Sequence, residues 1–180
     1  MDPRLCVRLS EDFDSKPDVA MLNEKFILLA EDDTNDVLLL ERAFEKAGLH
    51  DSLKVVSDGE MAIEYLSGRG IYADREQYPL PFLLLLDLKM PGTDGFEVLQ
   101  WLRSEPELKR LLVVVLTSSN LQADVDRAYE LGANSYLVKP VGFDEMLHLV
   151  KRFEIYWSEI NRTPTTSGPL KTERPETSLV

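Results

Sequence analysis

The chain is poor in what several large functional classes require. Its 180 residues include one cysteine, Cys6, and two histidines, His50 and His148. A single cysteine excludes a disulfide framework within one chain and suits a reducing cytosol. Three such residues also argue against a zinc site built from His and Cys. No apolar run is long enough to span a bilayer, and the N-terminus lacks a signal-peptide pattern. Positive charge is scarce too: 20 Lys and Arg face 32 Asp and Glu, a net charge of -12. That balance speaks against general nucleic-acid or anionic-membrane binding, since both need a basic face. No glycine-rich loop follows the first apolar run, where Glu31-Asp32-Asp33 stands instead, so a nucleotide-binding module is disfavoured. No repeat of 20 to 50 residues is evident.

What remains is ordinary for a water-exposed globular domain, with 44% hydrophobic and 29% charged residues. Residues 1–24 carry mixed charge and no sustained period, and are expected to form a flexible arm. From there short apolar runs alternate with helical patterns. Runs at 26–30, 53–56, 82–86, 111–116 and 135–138 read as strands. Amphipathic stretches follow each: one capped within Thr34-Asn35-Asp36, one opening at Ser57-Asp58, one capped at Thr93-Asp94, one over 121–131 and one over 143–160. Residues 68–81, with two glycines and two prolines, read as a long exposed loop, either functional or a tolerated insertion. The Thr-, Ser- and Pro-rich stretch at 161–180 reads as a disordered tail. Five strands alternating with five helices make one α/β domain with a parallel sheet, and right-handed crossovers put all strand ends on one rim.

The chemistry concentrates on that rim. In FLLLLDLKMPGTDG, at 82–95, a strand apolar on both faces runs straight into Asp87 and is stopped by Met90-Pro91-Gly92. An Asp there either caps the next helix or serves a site at the carboxyl edge of the sheet. The other strand ends carry Glu31-Asp32, Thr117-Ser118 and Lys139. Three carboxylates at one edge repel one another unless a hard cation sits among them, and oxygen ligands of this kind suit Mg2+.

The motifs ILLAED, LLLLDLKMPGTDG, VVVLTSSN and SYLVKP together resemble the receiver domain of two-component response regulators, over residues 25–160. The resemblance implies a flavodoxin-like doubly wound sheet of order 2-1-3-4-5. It also implies that Asp87 accepts a phosphoryl group from a phosphohistidine on a sensor histidine kinase. Asp32 and Asp87 would ligate Mg2+, with the Lys89 carbonyl, and Glu31 would act through water. Lys139 and Thr117 would bind phosphoryl oxygens, with the Ser118 N–H nearby. Tyr136 matches the family's switch aromatic, the alternative being a half-buried strand tyrosine. Positions such as Lys89 and Ser119 tune the lifetime of the acyl phosphate in this family. Few residues follow Ile160, so a stand-alone regulator without an output domain is expected, catalysing only its own phosphorylation and slow dephosphorylation.

The last helix carries more apolar surface than one core-facing stripe needs. Phe153, Tyr156, Trp157 and Ile160 are therefore expected at a homodimer interface, unless the tail folds back over them. The Tyr-Trp pair and the 68–81 loop are also similar to the subgroup of regulators that partner bacterial phytochrome kinases. Two rivals are weighed against this reading. A dehalogenase-type phosphatase wants a second Asp two positions after the nucleophile, where Lys89 stands. A degenerate receiver, binding partners without phosphorylation, is opposed by the intact Asp32, Asp87, Thr117 and Lys139.

Overall fold

The computed structural model describes residues 26–49 and 52–161. The expected N-terminal arm at 1–24 and, apart from Asn161, the expected tail lie outside these residues.

Five strands, β1 (Ile27–Ala30), β2 (Leu53–Val56), β3 (Leu83–Leu86), β4 (Leu112–Thr117) and β5 (Ser135–Val138), form one parallel sheet in the order β2-β1-β3-β4-β5. Five helices alternate with them: α1 (Thr34–Lys46), α2 (Gly59–Ser67), α3 (Gly95–Ser104), α4 (Gln122–Glu130) and α5 (Phe143–Ile155). This is the flavodoxin-like doubly wound arrangement, with the strand order reversing between β1 and β3.

The central strands are apolar at every position because both faces are covered. Alternate residues split between two cores. Leu28, Ala30, Leu84, Leu86, Val113 and Val115 face α2, α3 and α4. Ile27, Leu29, Leu83, Leu85, Val114 and Leu116 face α1 and α5. β5, on the edge, is only half-buried.

Most helix starts follow local chemistry. Asp58 and Asp94 accept backbone N–H bonds as N-caps, and Asp94 forms a reciprocal capping box with Glu97. α1 differs from expectation: Asp33, one residue before the expected Thr34-Asn35-Asp36, is its cap and accepts from the Asn35 N–H. Asp36 is thereby released for another contact. Leu121, where the expected amphipathic stretch at 121–131 begins, is exposed, and Ala128 alone of α4 is fully buried.

Residues 68–81 are largely exposed, as expected, but the segment is tied down. A short 3-10 turn at Gly70–Tyr72 buries Tyr72 against Tyr65, and Tyr78 meets both rings edge-on. Arg75 reaches back to donate to the carbonyl oxygens of Tyr65 at 2.8 Å and Leu66 at 2.6 Å, the open C-terminal end of α2. A third bond, to Tyr78 O at 3.1 Å, ties the segment to itself. The tyrosine triad gives this stretch a small core of its own.

The end of the chain corrects the interface expectation. α5 gives way to a π-helical turn at Tyr156–Ile160. Phe153 and Trp157 are both 7% exposed, packed in the chain's own core. The reason is spacing: Met146, Val150, Phe153 and Trp157 recur at four, three and four positions, which is one face of a helix. Of the four expected interface residues, Tyr156 and Ile160 remain exposed.

Candidate functional site

The parallel ladder determines which side chains meet at the rim. Ala30 pairs with Leu86 in register, and the Asp87 N–H donates to Ala30 O at 3.0 Å. The Lys139 N–H bonds Thr117 O at 2.8 Å one strand further out, and the Glu31 N–H bonds Val56 O at 3.1 Å. Glu31, Asp87 and Lys139 are each the first residue past their strand, held by a backbone bond to the end of its neighbour. The apolar strand anchors the backbone while the side chain leaves the sheet.

Asp87 is buried, 3% exposed, at the end of β3. Its Oδ2 accepts from the Lys89 N–H at 3.0 Å, which pins the carboxylate's orientation. Its Oδ1 has no hydrogen-bond partner, the one such buried side-chain atom among the described residues. A buried orphan acceptor costs free energy on the order of 1–3 kcal/mol, so it signals a group that the site is built to receive. Ligand oxygens of Glu31, Asp32 and Asp87 lie within 4.8 Å of one another. An all-oxygen set of this kind, with one exposed member and one buried oxygen that makes no hydrogen bond, fits a hard divalent cation.

Lys139 supplies the counter-charge. Its Nζ lies 2.6 Å from Glu31 Oε2, 2.8 Å from Asp36 Oδ2 and 3.5 Å from Asp87 Oδ1. Glu31 uses its other oxygen to accept the Asp33 N–H at 3.2 Å. Burial pushes the Glu31 pKa above its ordinary value, and the nearby Asp87 charge adds to this against the pull of Lys139. Burial alone would lower the Lys139 pKa, but Asp36, Glu31 and Asp87 overcome it, so the ammonium holds its proton more tightly than usual. The two shifts have different causes: burial dominates for Glu31, and the neighbouring carboxylates dominate for Lys139.

The other expected residues are placed as follows. Thr117 is fully buried at the end of β4, and its hydroxyl accepts from the Ser119 N–H at 3.5 Å. Ser118 and the Lys89 side chain are exposed. Tyr136 is half-buried in β5, and its hydroxyl donates to Ser119 O at 3.0 Å. Burial raises the Tyr136 pKa above its usual value. The structure thus brings Glu31, Asp32, Asp87 and Lys139 into one cluster and sets Thr117 and Tyr136 around the β4–α4 turn.

Two site residues were not legible in advance. Asp36 had only a capping signal, and its contact with Lys139 spans 103 positions. Asp124 lies in the first turn of α4 and accepts from Ser119 Oγ at 2.5 Å, fastening the turn that carries Thr117. An acidic residue in a first turn is common for dipole reasons alone, so neither position stood out.

Comparison with known proteins agrees with this geometry. The response regulator receiver domain model matches residues 27–151. A probable methanogenesis regulatory protein, FilR2 of Methanothrix harundinacea, is 37% identical over 82% of this chain and 93% of its own length. The response regulator Rcp1 of Synechocystis is 38% identical over 78% of this chain and 93% of its own length. Its Mn2+-bound structure superposes with a TM-score of 0.69. The phosphorylated cyanobacterial phytochrome response regulator RcpA superposes with a TM-score of 0.72 at 35% identity, over 78% of this chain and 99% of that one. A parallel sheet of this order, an acidic pocket at its carboxyl rim and a family match across most of the chain agree: this protein belongs to the response regulator receiver domain family.

Proposed function

We propose that the protein is a phospho-accepting response regulator in which Asp87 takes a phosphoryl group from a phosphohistidine of a sensor histidine kinase. The observation that carries this reading is the buried Asp87 carboxylate, with Oδ1 free of hydrogen bonds, set between an acidic cluster and the Lys139 ammonium. In the transfer, an Asp87 oxygen forms a bond to phosphorus while the bond from phosphorus to the imidazole nitrogen breaks. The imidazole leaves with the electron pair, and the product is an acyl phosphate on Asp87. Glu31, Asp32 and Asp87 are the residues that would hold Mg2+, with the Lys89 carbonyl. Bound there, the cation neutralises charge on the phosphoryl oxygens. Lys139 pairs with one phosphoryl oxygen, and Thr117 and the Ser118 N–H bind others. The protein's only catalysis is of its own phosphorylation and slow dephosphorylation.

The response follows from the ties around Ser119. When Thr117 is drawn toward the phosphoryl group, the turn carrying Ser119 moves and Tyr136 loses its acceptor, remodelling the face of α4, β5 and α5. That face would carry the signal to a downstream protein. Likeness to a phytochrome response regulator supports a bacterial phytochrome as the kinase. No helix among the described residues is long and apolar enough to cross a membrane. A cytoplasmic site of action is consistent with that and with the single cysteine. The exposed Ile155, Tyr156 and Ile160 at the end of the last helix support a homodimer.

Incubation with acetyl phosphate and Mg2+, read by intact mass, should add one phosphoryl group to the wild type and none to Asp87→Asn. No adduct on the wild type would leave a receiver that binds partners without phosphorylation. For the dimer, polar substitution of Tyr156 and Ile160 should lower the sedimenting mass; an unchanged mass removes them from the interface.

A further inference from the structure

Lys139 stands among three carboxylates, and their distances are unequal. Glu31 and Asp36 hold Nζ at 2.6 and 2.8 Å, both within hydrogen-bond range, while Asp87 Oδ1 is left at 3.5 Å. An ammonium has three N–H groups, so two are committed to Glu31 and Asp36. The third carboxylate oxygen within ion-pair range is Asp87 Oδ1, the atom without a hydrogen bond. A move of less than an ångström would close that contact. Coulomb attraction alone favours closure, because Asp87 is as buried as Glu31, each 3% exposed, and so is poorly screened. Something holds the ammonium back. Asp36 is placed to do so: it is rooted in the first turn of α1, and of the three carboxylates it alone lies outside the cluster suited to a cation.

We propose that Asp36 is a positioning residue that holds the Lys139 ammonium off Asp87, so that the carboxylate stays open to a divalent cation and to the incoming phosphoryl group. The idea rests on the phosphoryl-acceptor reading, and it assigns a task to a residue that neither coordinates the cation nor touches the transferred group. Without Asp36, the ammonium closes on Asp87 Oδ1 and becomes a competitor for the cation. Capping of α1 is not at stake, since Asp33 does that. The Asp36 side chain is 38% exposed, so the fold tolerates its replacement.

The test is Mg2+ binding by calorimetry on the full chain, in wild type, Asp36→Asn, Lys139→Met and the double variant, with Asp36→Glu as the conservative control. Asp36→Asn should weaken Mg2+ binding by roughly threefold to tenfold, the lower part of the range of coupling within one charged network. Asp36→Glu should restore it. In the Lys139→Met background the same substitution should cost almost nothing, because the competing ammonium is gone. An equal loss in both backgrounds means that Asp36 acts on the cation by its own charge, and overturns the proposal; so does no loss at all. The rate with acetyl phosphate gives a second reading at sub-saturating Mg2+. Positioning predicts that Asp36→Asn is slower, whereas simple relief of charge repulsion toward the anionic donor would make it faster. If the wild type binds Mg2+ yet takes no phosphoryl group, the function reading fails while the four binding constants still decide the role of Asp36. Absence of Mg2+ binding in the wild type overturns both.

Discussion

Gly95 packs directly against the backbone of Asp87. A Cβ at position 95 would collide with the Asp87 carbonyl oxygen and lie 2.8 Å from Leu88 Cα. The Gly95 N–H also donates to Leu88 O at 3.1 Å. The first turn of α3 is thus pressed against the peptide that carries the Asp87 carboxylate. The constraint is close approach alone, since Gly95 is not among the positive-φ residues.

Gly95→Ala should therefore displace the Asp87 peptide or push α3 away. The expected cost is about 2–4 kcal/mol, the upper end of overpacking, because backbone atoms cannot rotate aside as a side chain can. Urea unfolding measures it. The variant should also take up phosphoryl groups more slowly than wild type at Mg2+ concentrations that saturate both. A fully stable variant with wild-type uptake would show that the contact is easily relieved.

Asp87→Asn should raise stability in Mg2+-free buffer by about 1–2 kcal/mol, as relief of like-charge crowding at a site kept for function. The carboxylates of Glu31, Asp32 and Asp87 share one edge, and Lys139 keeps Glu31 and Asp36 as partners after the change. Added Mg2+ should then stabilise the wild type, by mass action on the folded state, and leave the variant almost unmoved. Thermal unfolding with and without Mg2+ separates these outcomes.

Arg75→Ala removes all three bonds to the carbonyl oxygens of Tyr65, Leu66 and Tyr78. Loss of the charged donor should cost about 1.5–3 kcal/mol. The damage should stay local: limited proteolysis is expected to cut within 68–81 well before the rest of the chain. A variant that resists cleavage there would mean that the tyrosine triad alone holds the segment.

Alkaline pH should destabilise the fold through Tyr65. Its hydroxyl is pushed from the ordinary 10.0 up to about 12, chiefly by burial. The folded state then holds a proton that the unfolded state releases, so stability falls as pH rises from about 10 toward 12. Lys139 acts in the same sense, since its raised pKa keeps an ion-paired proton that is lost only at still higher pH. Tyr65→Phe gives up the bond to Pro79 O at 3.2 Å but should flatten the alkaline limb. Denaturant midpoints between pH 8 and pH 11 would reveal it, and an unchanged pH slope would place the sensitivity elsewhere.

Much of the architecture was legible without coordinates because its signals are local. Short apolar runs bounded by turn residues suit strands buried on both faces, and an Asp that ends one falls at the edge of the sheet. Asp58 and Asp94 announce their helices through a cap that depends on two or three neighbouring residues. The four motifs at the strand ends identified Glu31, Asp32, Asp87, Thr117 and Lys139 as a set, since strands of one parallel sheet share a carboxyl edge.

Contacts between distant elements were not legible. Whether Trp157 covers the core or greets a partner depends on how far α5 extends over the sheet, and the structure places it inside. Whether 68–81 is loose depends on Arg75 finding the carbonyl ends of α2. Asp36 could have been any first-turn acid until packing brought the start of α1 to Lys139, just past β5. Residue order along the chain specifies which groups a strand or helix presents and at what spacing. The distance between two charges on different elements follows from packing against a common core, and that distance decides whether Lys139 rests on Asp87 or beside it.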